Sequence, residues 1–197
     1  MAAVAARICS RVPCVRTLRH HVRRLATLND FSGVKLIPYD GGGQALVAAQ
    51  AFAAKETIFT FDGMLRRDNV GDRSIMVGRE VHLYPGPDAG EPHWVFLNHS
   101  FSPTVHLSHA PVPSVDSPPP LMTATAAHDL EEGAALTIDY TLHEWECVDP
   151  FVCSTSGRPV RGFVHLSEAE QEASLPRALP HIKSLYMQHL FGQSSRC

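Results

Sequence analysis

A mainly β domain closed by short C-terminal helices is the fold this sequence predicts. Apolar runs of three to five residues recur from Val34 onward, Gly, Pro and Asp punctuate them, and helix-type spacing enters only after Ser167. Val34–Ile37 reads as the first strand, closed by Pro38-Tyr39-Asp40 and the glycines Gly41, Gly42 and Gly43. Ala45–Ala48 and Thr57–Phe61 follow, with Ala53-Ala54-Lys55-Glu56 as the turn between them. Ile75–Val77 and Val81–Leu83 flank Gly78, and Pro85-Gly86-Pro87 ends that pair. Val95–Leu97 is expected as a strand leading into Asn98-His99-Ser100, and Val105–Leu107 as the one after it.

Five prolines between Pro111 and Pro120 remove too many backbone donors for a strand ladder, so that stretch is expected as an exposed loop. Leu121–Ala126 resumes as a strand, Asp129–Gly133 turns, and Leu136–Ile138 is the last strand expected. Ser167-Glu168-Ala169-Glu170 is a capping box, with Ser167 as N-cap and Glu170 reaching back. It predicts a helix from Glu168 to Leu175, interrupted by Pro176. Pro180 opens a second helix whose apolar positions Ile182, Leu185, Tyr186, Leu190 and Phe191 recur at three and four. That helix is expected to lay one face on the β body.

The 197 residues are 44% hydrophobic and 19% charged, the balance of a globular chain with a core. No apolar run reaches the length of a membrane-spanning helix, and no membrane association is expected. The net charge of −3 conceals an asymmetry: Arg7, Arg11, Arg16, Arg19, Arg23 and Arg24 precede the first acidic residue, Asp30. An Arg-rich, acid-free N-terminus of this kind fits an organellar transit peptide, mitochondrial before plastid, with processing near Arg23-Arg24-Leu25-Ala26-Thr27. A disordered basic arm is the alternative, and the body would then be nuclear or cytoplasmic. The acidic body offers no basic stripe, so direct nucleic-acid binding is not expected. The five cysteines, Cys9, Cys14, Cys147, Cys153 and Cys197, contain no Cys-x-x-Cys pair, which points to a reducing compartment and no self-contained zinc site.

Two short segments carry chemistry. Trp94-Val95-Phe96-Leu97 ends in Asn98-His99-Ser100, with Pro103 beyond, and Leu136-Thr137-Ile138 ends in Asp139-Tyr140. An unpaired buried polar group costs about 1–3 kcal/mol, so two apolar segments that both end in polar side chains imply one shared, partly buried site.

These segments resemble the Asn-His-Ser-x-x-Pro and Leu-Thr-x-Asp-Tyr signatures of SET-domain protein lysine methyltransferases, in the family's order and near its spacing. The resemblance spans Phe31 to Leu175. It implies a SET-type fold of short strands with a C-terminal pseudoknot, and S-adenosylmethionine as cofactor. Gly42-Gly43-Gln44-Ala45-Leu46-Val47-Ala48 is similar to the family's Gly-x-Gly-Leu-x-Ala segment, with Ala45 where the second glycine stands. The resemblance implies that Gly43, Gln44, Ala45, Leu46, Asn98, His99, Tyr140 and Phe151 hold the cofactor, and that Tyr140 is the catalytic tyrosine. It implies domain bounds of 30–141 for the SET domain, 142–166 for a degenerate post-SET segment and 167–197 for a helical tail, after the leader of residues 1–29.

In relatives the post-SET segment binds zinc through three cysteines and a fourth beside the Asn-His-Ser motif. Here Phe101 stands at the fourth position, Thr155 and Val160 stand near two others, and only Cys153 remains. One thiol cannot hold a tetrahedral zinc, so no metal is expected, and packing around Phe101, Phe151 and Phe163 has to order the segment. Phe151 and Trp145 are the candidates for a wall of the lysine channel. The function implied is methyl transfer to a lysine of a protein substrate. The alternative is a catalytically degenerate SET-like module that binds protein, favoured by Ala45, the missing cysteines, and Thr104 where relatives carry Asn.

Overall fold

The structure, a computed structural model, describes residues 30–39, 43–67, 73–86 and 93–194. The leader of residues 1–29, Asp40 with Gly41 and Gly42, and Cys197 lie outside them. The architecture is mainly β, built of strands two to five residues long, with two short helices at the C-terminal end.

β1 (Val34–Pro38) and β2 (Gln44–Ala48) form an antiparallel hairpin in which Val34 faces Ala48 and Leu36 faces Leu46. β3 (Thr57–Phe61) pairs with β9 (Met122–Ala126), which also carries β8 (Val105–Ser108) on its other edge. A third sheet places β6 (Val81–Tyr84) between β4 (Met64–Arg66) and β5 (Ile75–Gly78). β4 has no counterpart in the sequence reading, because a three-residue strand gives too little alternation to register.

The inward faces share one core. Phe59, Phe61, Leu46, Leu83 and Met122 are fully buried, and the Phe61 ring stacks on Trp94 at 4.9 Å between centroids. Trp94 corrects one expectation. Residues His93–Phe96 form a 3-10 turn rather than a strand, with the Leu97 N–H donating to the Trp94 carbonyl at 3.2 Å. Burying Trp94 against Phe61 sets this local geometry and overrides the β preference of Val95 and Phe96. Only Asn98–His99 (β7) is extended, and it pairs in parallel with β10 (Thr137–Ile138): Thr137 faces Asn98 and Ile138 faces His99.

The Pro-rich stretch forms no strand, but it is not wholly exposed: Val112 and Val115 pack on the core and Pro120 is buried. Phe151–Val152 (β11) and Pro159–Val160 (β12) form a small hairpin beyond β10. α1 (Glu168–Ser174) carries the capping box, with both reciprocal bonds between Ser167 and Glu170 present. α2 (Pro180–Ser194) buries Ile182 and Tyr186 in a second cluster with Leu142, Phe163 and Ala178. Leu190 and Phe191 are exposed, so the apolar face expected to run the length of α2 is covered only in its first two turns. Among the described residues no helix is long and apolar enough to cross a membrane.

Candidate active site

The parallel pairing of β7 with β10 brings the two polar motifs together. The Ser100 N–H donates to the Ile138 carbonyl at 2.9 Å, so both strands end at the same level. Just beyond, Asp139 caps the 3-10 turn Tyr140–Leu142: its Oδ1 accepts from the Thr141 N–H at 3.0 Å and from the Thr141 hydroxyl at 2.7 Å. Burial holds the Asp139 carboxyl above its ordinary range, while the two Thr141 bonds favour its ionised form. The turn redirects the chain so that Tyr140 points back across β7.

Three contacts hold Tyr140 in place, two of them to His99. The Tyr140 N–H donates to His99 Nδ1 at 3.1 Å, the phenol donates to the Leu97 carbonyl at 2.9 Å, and the two rings meet edge to face at 5.3 Å. Because Nδ1 accepts, the proton of the neutral imidazole sits on Nε2. Burial, helped by the nearby Arg158 charge, lowers His99 to about 4, so the ring is neutral at physiological pH. Asp139 Oδ1 at 4.0 Å from Nδ1 is therefore not an ion-pair partner. The His99 Nε2 is buried and has no hydrogen-bond partner among the described residues.

Phe101 and Phe151 complete an aromatic box around His99, edge to face at 4.6 and 5.6 Å, and Phe151 also meets Tyr140 at 5.9 Å. Side-chain contacts tie the β11–β12 hairpin that carries Phe151 to its surroundings. The Arg158 guanidinium lies over Phe101 at 4.2 Å and pairs with Glu170 of α1, and the Tyr39 hydroxyl bonds the Ser154 hydroxyl at 3.1 Å. Cys153 is buried with its Sγ 3.2 Å from the Thr155 hydroxyl, and Val160 is fully buried. No group of three or more His, Cys, Asp or Glu suited to a metal ion occurs among the described residues.

The glycine-rich segment reaches the same region through one bond: Asn98 Nδ2 donates to the Gln44 carbonyl at 3.2 Å. Gly43 has φ of +89°, a left-handed backbone that favours glycine, with open space where a Cβ would stand. Gly43 and Gln44 are exposed, whereas Ala45 and Leu46 are buried in the hairpin.

A cleft of about 180 Å³ opens beside these residues, lined by Ile75, Trp94, Leu97, Ile138, Tyr140 and Phe151 together with His143, Glu144 and Cys147. Trp145 is not part of its lining. It stacks on Phe163 at 6.0 Å and meets His189 of α2 at 5.8 Å, so it belongs to the helix-docking cluster rather than to a channel wall. Sequence reasoning also missed Glu144, whose carboxyl burial raises to about 7, and His143, which burial lowers to about 3. The signal for both was their place three and four residues after Tyr140. The Glu144 N–H donates to the Tyr140 carbonyl at 2.8 Å, which fixes both inside the cleft rather than on a loop.

No protein-family model matches the sequence, and no curated protein matches it. Solved structures do. A provisionally designated histone methyltransferase of Plasmodium falciparum aligns with a TM-score of 0.44 and 15% identity, over 57% of this chain and 99% of that one. KRYPTONITE, solved with mCHH DNA, an H3(1–15) peptide and SAH, aligns with a TM-score of 0.47 and 18% identity over 61% of this chain. That match spans only 27% of KRYPTONITE.

Proposed function

We propose that this chain is a SET-type, S-adenosylmethionine-dependent methyltransferase acting on a lysine side chain of a protein. The observation that carries the reading is the parallel β7–β10 pair, which sets His99 against Tyr140 and Phe151, the two rings that line the neighbouring cleft. The residues present fit the cofactor. The buried His99 Nε2–H is a donor still to be matched, Asn98 holds the Gln44 carbonyl in place, and Gly43 leaves its backbone open to close approach.

Gly43, Gln44, Ala45, Leu46, Asn98, His99, Tyr140 and Phe151 would hold S-adenosylmethionine, which supplies a methyl group on a positively charged sulfur. Tyr140 is the catalytic tyrosine of this reading. Its proton is committed to the Leu97 carbonyl, so the phenol oxygen serves the cleft as an acceptor that orients an amine, without having to act as a base. The apolar walls of Ile75, Trp94, Leu97 and Ile138 disfavour an ammonium and favour the neutral amine that in-line displacement requires. Phe151, 39% exposed, shields His99 and Tyr140 from solvent on one side. The ties between the hairpin, Phe101 and α1 replace a structural zinc in this reading. The Arg-rich leader suggests a mitochondrial substrate, and a fluorescent fusion of residues 1–30 showing diffuse signal would count against that address.

The test is calorimetry with S-adenosylmethionine on the full chain, followed by label transfer to organellar and histone extracts side by side. Cofactor binding and label on a lysine are expected. A folded sample that binds no cofactor would overturn the reading in favour of a protein-binding module without catalysis.

A further inference from the structure

Glu144 is a half-buried carboxylate in the wall of the cleft that Tyr140 also lines. Its Oε1 accepts the Met76 N–H of β5 at 3.2 Å, and it forms no ion pair among the described residues. The backbone around it is fixed at both ends: its N–H reaches the Tyr140 carbonyl, and its carbonyl accepts the Phe163 N–H at 2.9 Å. The side chain is therefore aimed by the same turn that aims the tyrosine. A carboxylate shielded from water without a cation is costly to the fold, and a cationic ligand bound at the same wall offsets that cost. Val or Leu at this position would bury as well and leave no charge to compensate.

The other titratable groups of this cleft do not supply the missing cation. His143 is held neutral by burial. Cys147 is pushed up to about 12 by burial and then by the charge of Glu144 itself, so its thiol stays protonated. Tyr140 is engaged with Leu97, Asp149 is a second carboxylate, and Arg73, which also lines the cleft, forms no ion pair with Glu144 among the described residues. A cation brought by a ligand is the natural complement.

We propose that Glu144 is a catalytic residue that receives the substrate's ammonium group and takes its proton before transfer. This rests on the reading of the cleft as a lysine methyl-transfer site and narrows the substrate to an amine that arrives protonated. In the step, one N–H bond of the lysine ammonium breaks and an O–H bond forms on Glu144, leaving a neutral amine and a neutral carboxyl. The amine then forms the N–CH3 bond as the S–CH3 bond breaks, so the positive charge passes from sulfur to nitrogen. Glu144 returns its proton to solvent as the methylated ammonium leaves. The raised Glu144 pKa of about 7 suits a group that must hold a proton transiently near neutral pH.

Glu144→Gln keeps the acceptor for the Met76 N–H and removes the charge. In the full chain, transfer at pH 7 is expected to fall by about 10²-fold, the scale of a lost general base. The loss should shrink steadily toward pH 10, where hydroxide and the lysine's own deprotonation substitute. Transfer by the wild type with an unchanged rate and pH profile in Glu144→Gln would overturn the inference and leave the proposed function standing. A wild type that neither binds cofactor nor transfers label would remove the proposed function, and a second arm then judges Glu144 alone. In that arm n-butylammonium and n-butanol are titrated into the wild-type chain at pH 6 and pH 8 and followed by Trp fluorescence. The cation should bind several-fold tighter at pH 8 and the alcohol equally at both. Equal pH response of the two probes would overturn the assignment, whether or not Glu144→Gln folds.

Discussion

Lowering the pH from 7 to 5 sets the buried groups of this fold against one another. His143 and His181 are both buried. Burial lowers them to about 3 and about 4, and the His181 Nε2–H donates to the His143 carbonyl at 2.8 Å. Unfolded imidazoles take up protons from pH 6.5 downward while the folded ones do not, so stability is lost as the pH falls below that value. At pH 5, one and a half units below the free value, each ring withdraws about 2 kcal/mol, or about 4 kcal/mol for the pair. Glu144 works in the opposite sense. Its folded pKa of about 7 lies above the free value of 4.5, so its ionisation destabilises the fold at neutral pH and acid relieves that cost, by about 2 kcal/mol between pH 7 and 5. His99, also lowered by burial, adds to the loss in both proteins, and Glu144→Gln, which lacks the relief, should lose about 2 kcal/mol more than the wild type over this interval. Urea unfolding at the two pH values measures both losses. Groups common to the two proteins, Asp139 among them, cancel in the difference. Identical losses in the two proteins would refute the burial and charge assigned to Glu144.

Tyr140→Phe should reduce methyl transfer by about 10²-fold or more while cofactor affinity stays within a few-fold, and its lost bond to Leu97 should cost about 1 kcal/mol in urea unfolding. Gly162→Ala should destabilise by more than about 2 kcal/mol, because φ is +107° and a Cβ would stand 2.6 Å from Glu146 Cα and 2.7 Å from the Trp145 carbonyl; a near-neutral result would show that the turn after β12 relaxes freely. Ser167→Ala should cost about 1 kcal/mol and speed amide exchange in the first turn of α1, since the capping box loses its acceptor for the Glu170 N–H.

Strand order and the capped helix were legible wherever the local signal was strong. Thr57–Phe61 alternates within β-branched and aromatic residues and is β3 residue for residue. Ser167 and Glu170 announce α1 because capping is chemistry between near neighbours. Val95–Phe96 was misread because its conformation is set by Trp94 packing on Phe61, more than thirty residues earlier in the chain. The exposed end of α2 was misread for a related reason. Periodicity shows which face is apolar, but it does not show where the partner surface stops.

The sequence by itself determined the mainly β class, the helix starts and the residues that end each polar motif, because these depend on spacing and local hydrogen-bond chemistry. That the two polar motifs meet was inferred from the sequence, but only the tertiary structure showed how, through a parallel pair of two-residue strands that leaves almost no periodic trace. It alone put Phe151 on His99 and turned Trp145 toward α2. It also placed the half-buried Glu144 in the cleft wall, because a shielded carboxylate reads in sequence like any solvated one until the walls around it are known.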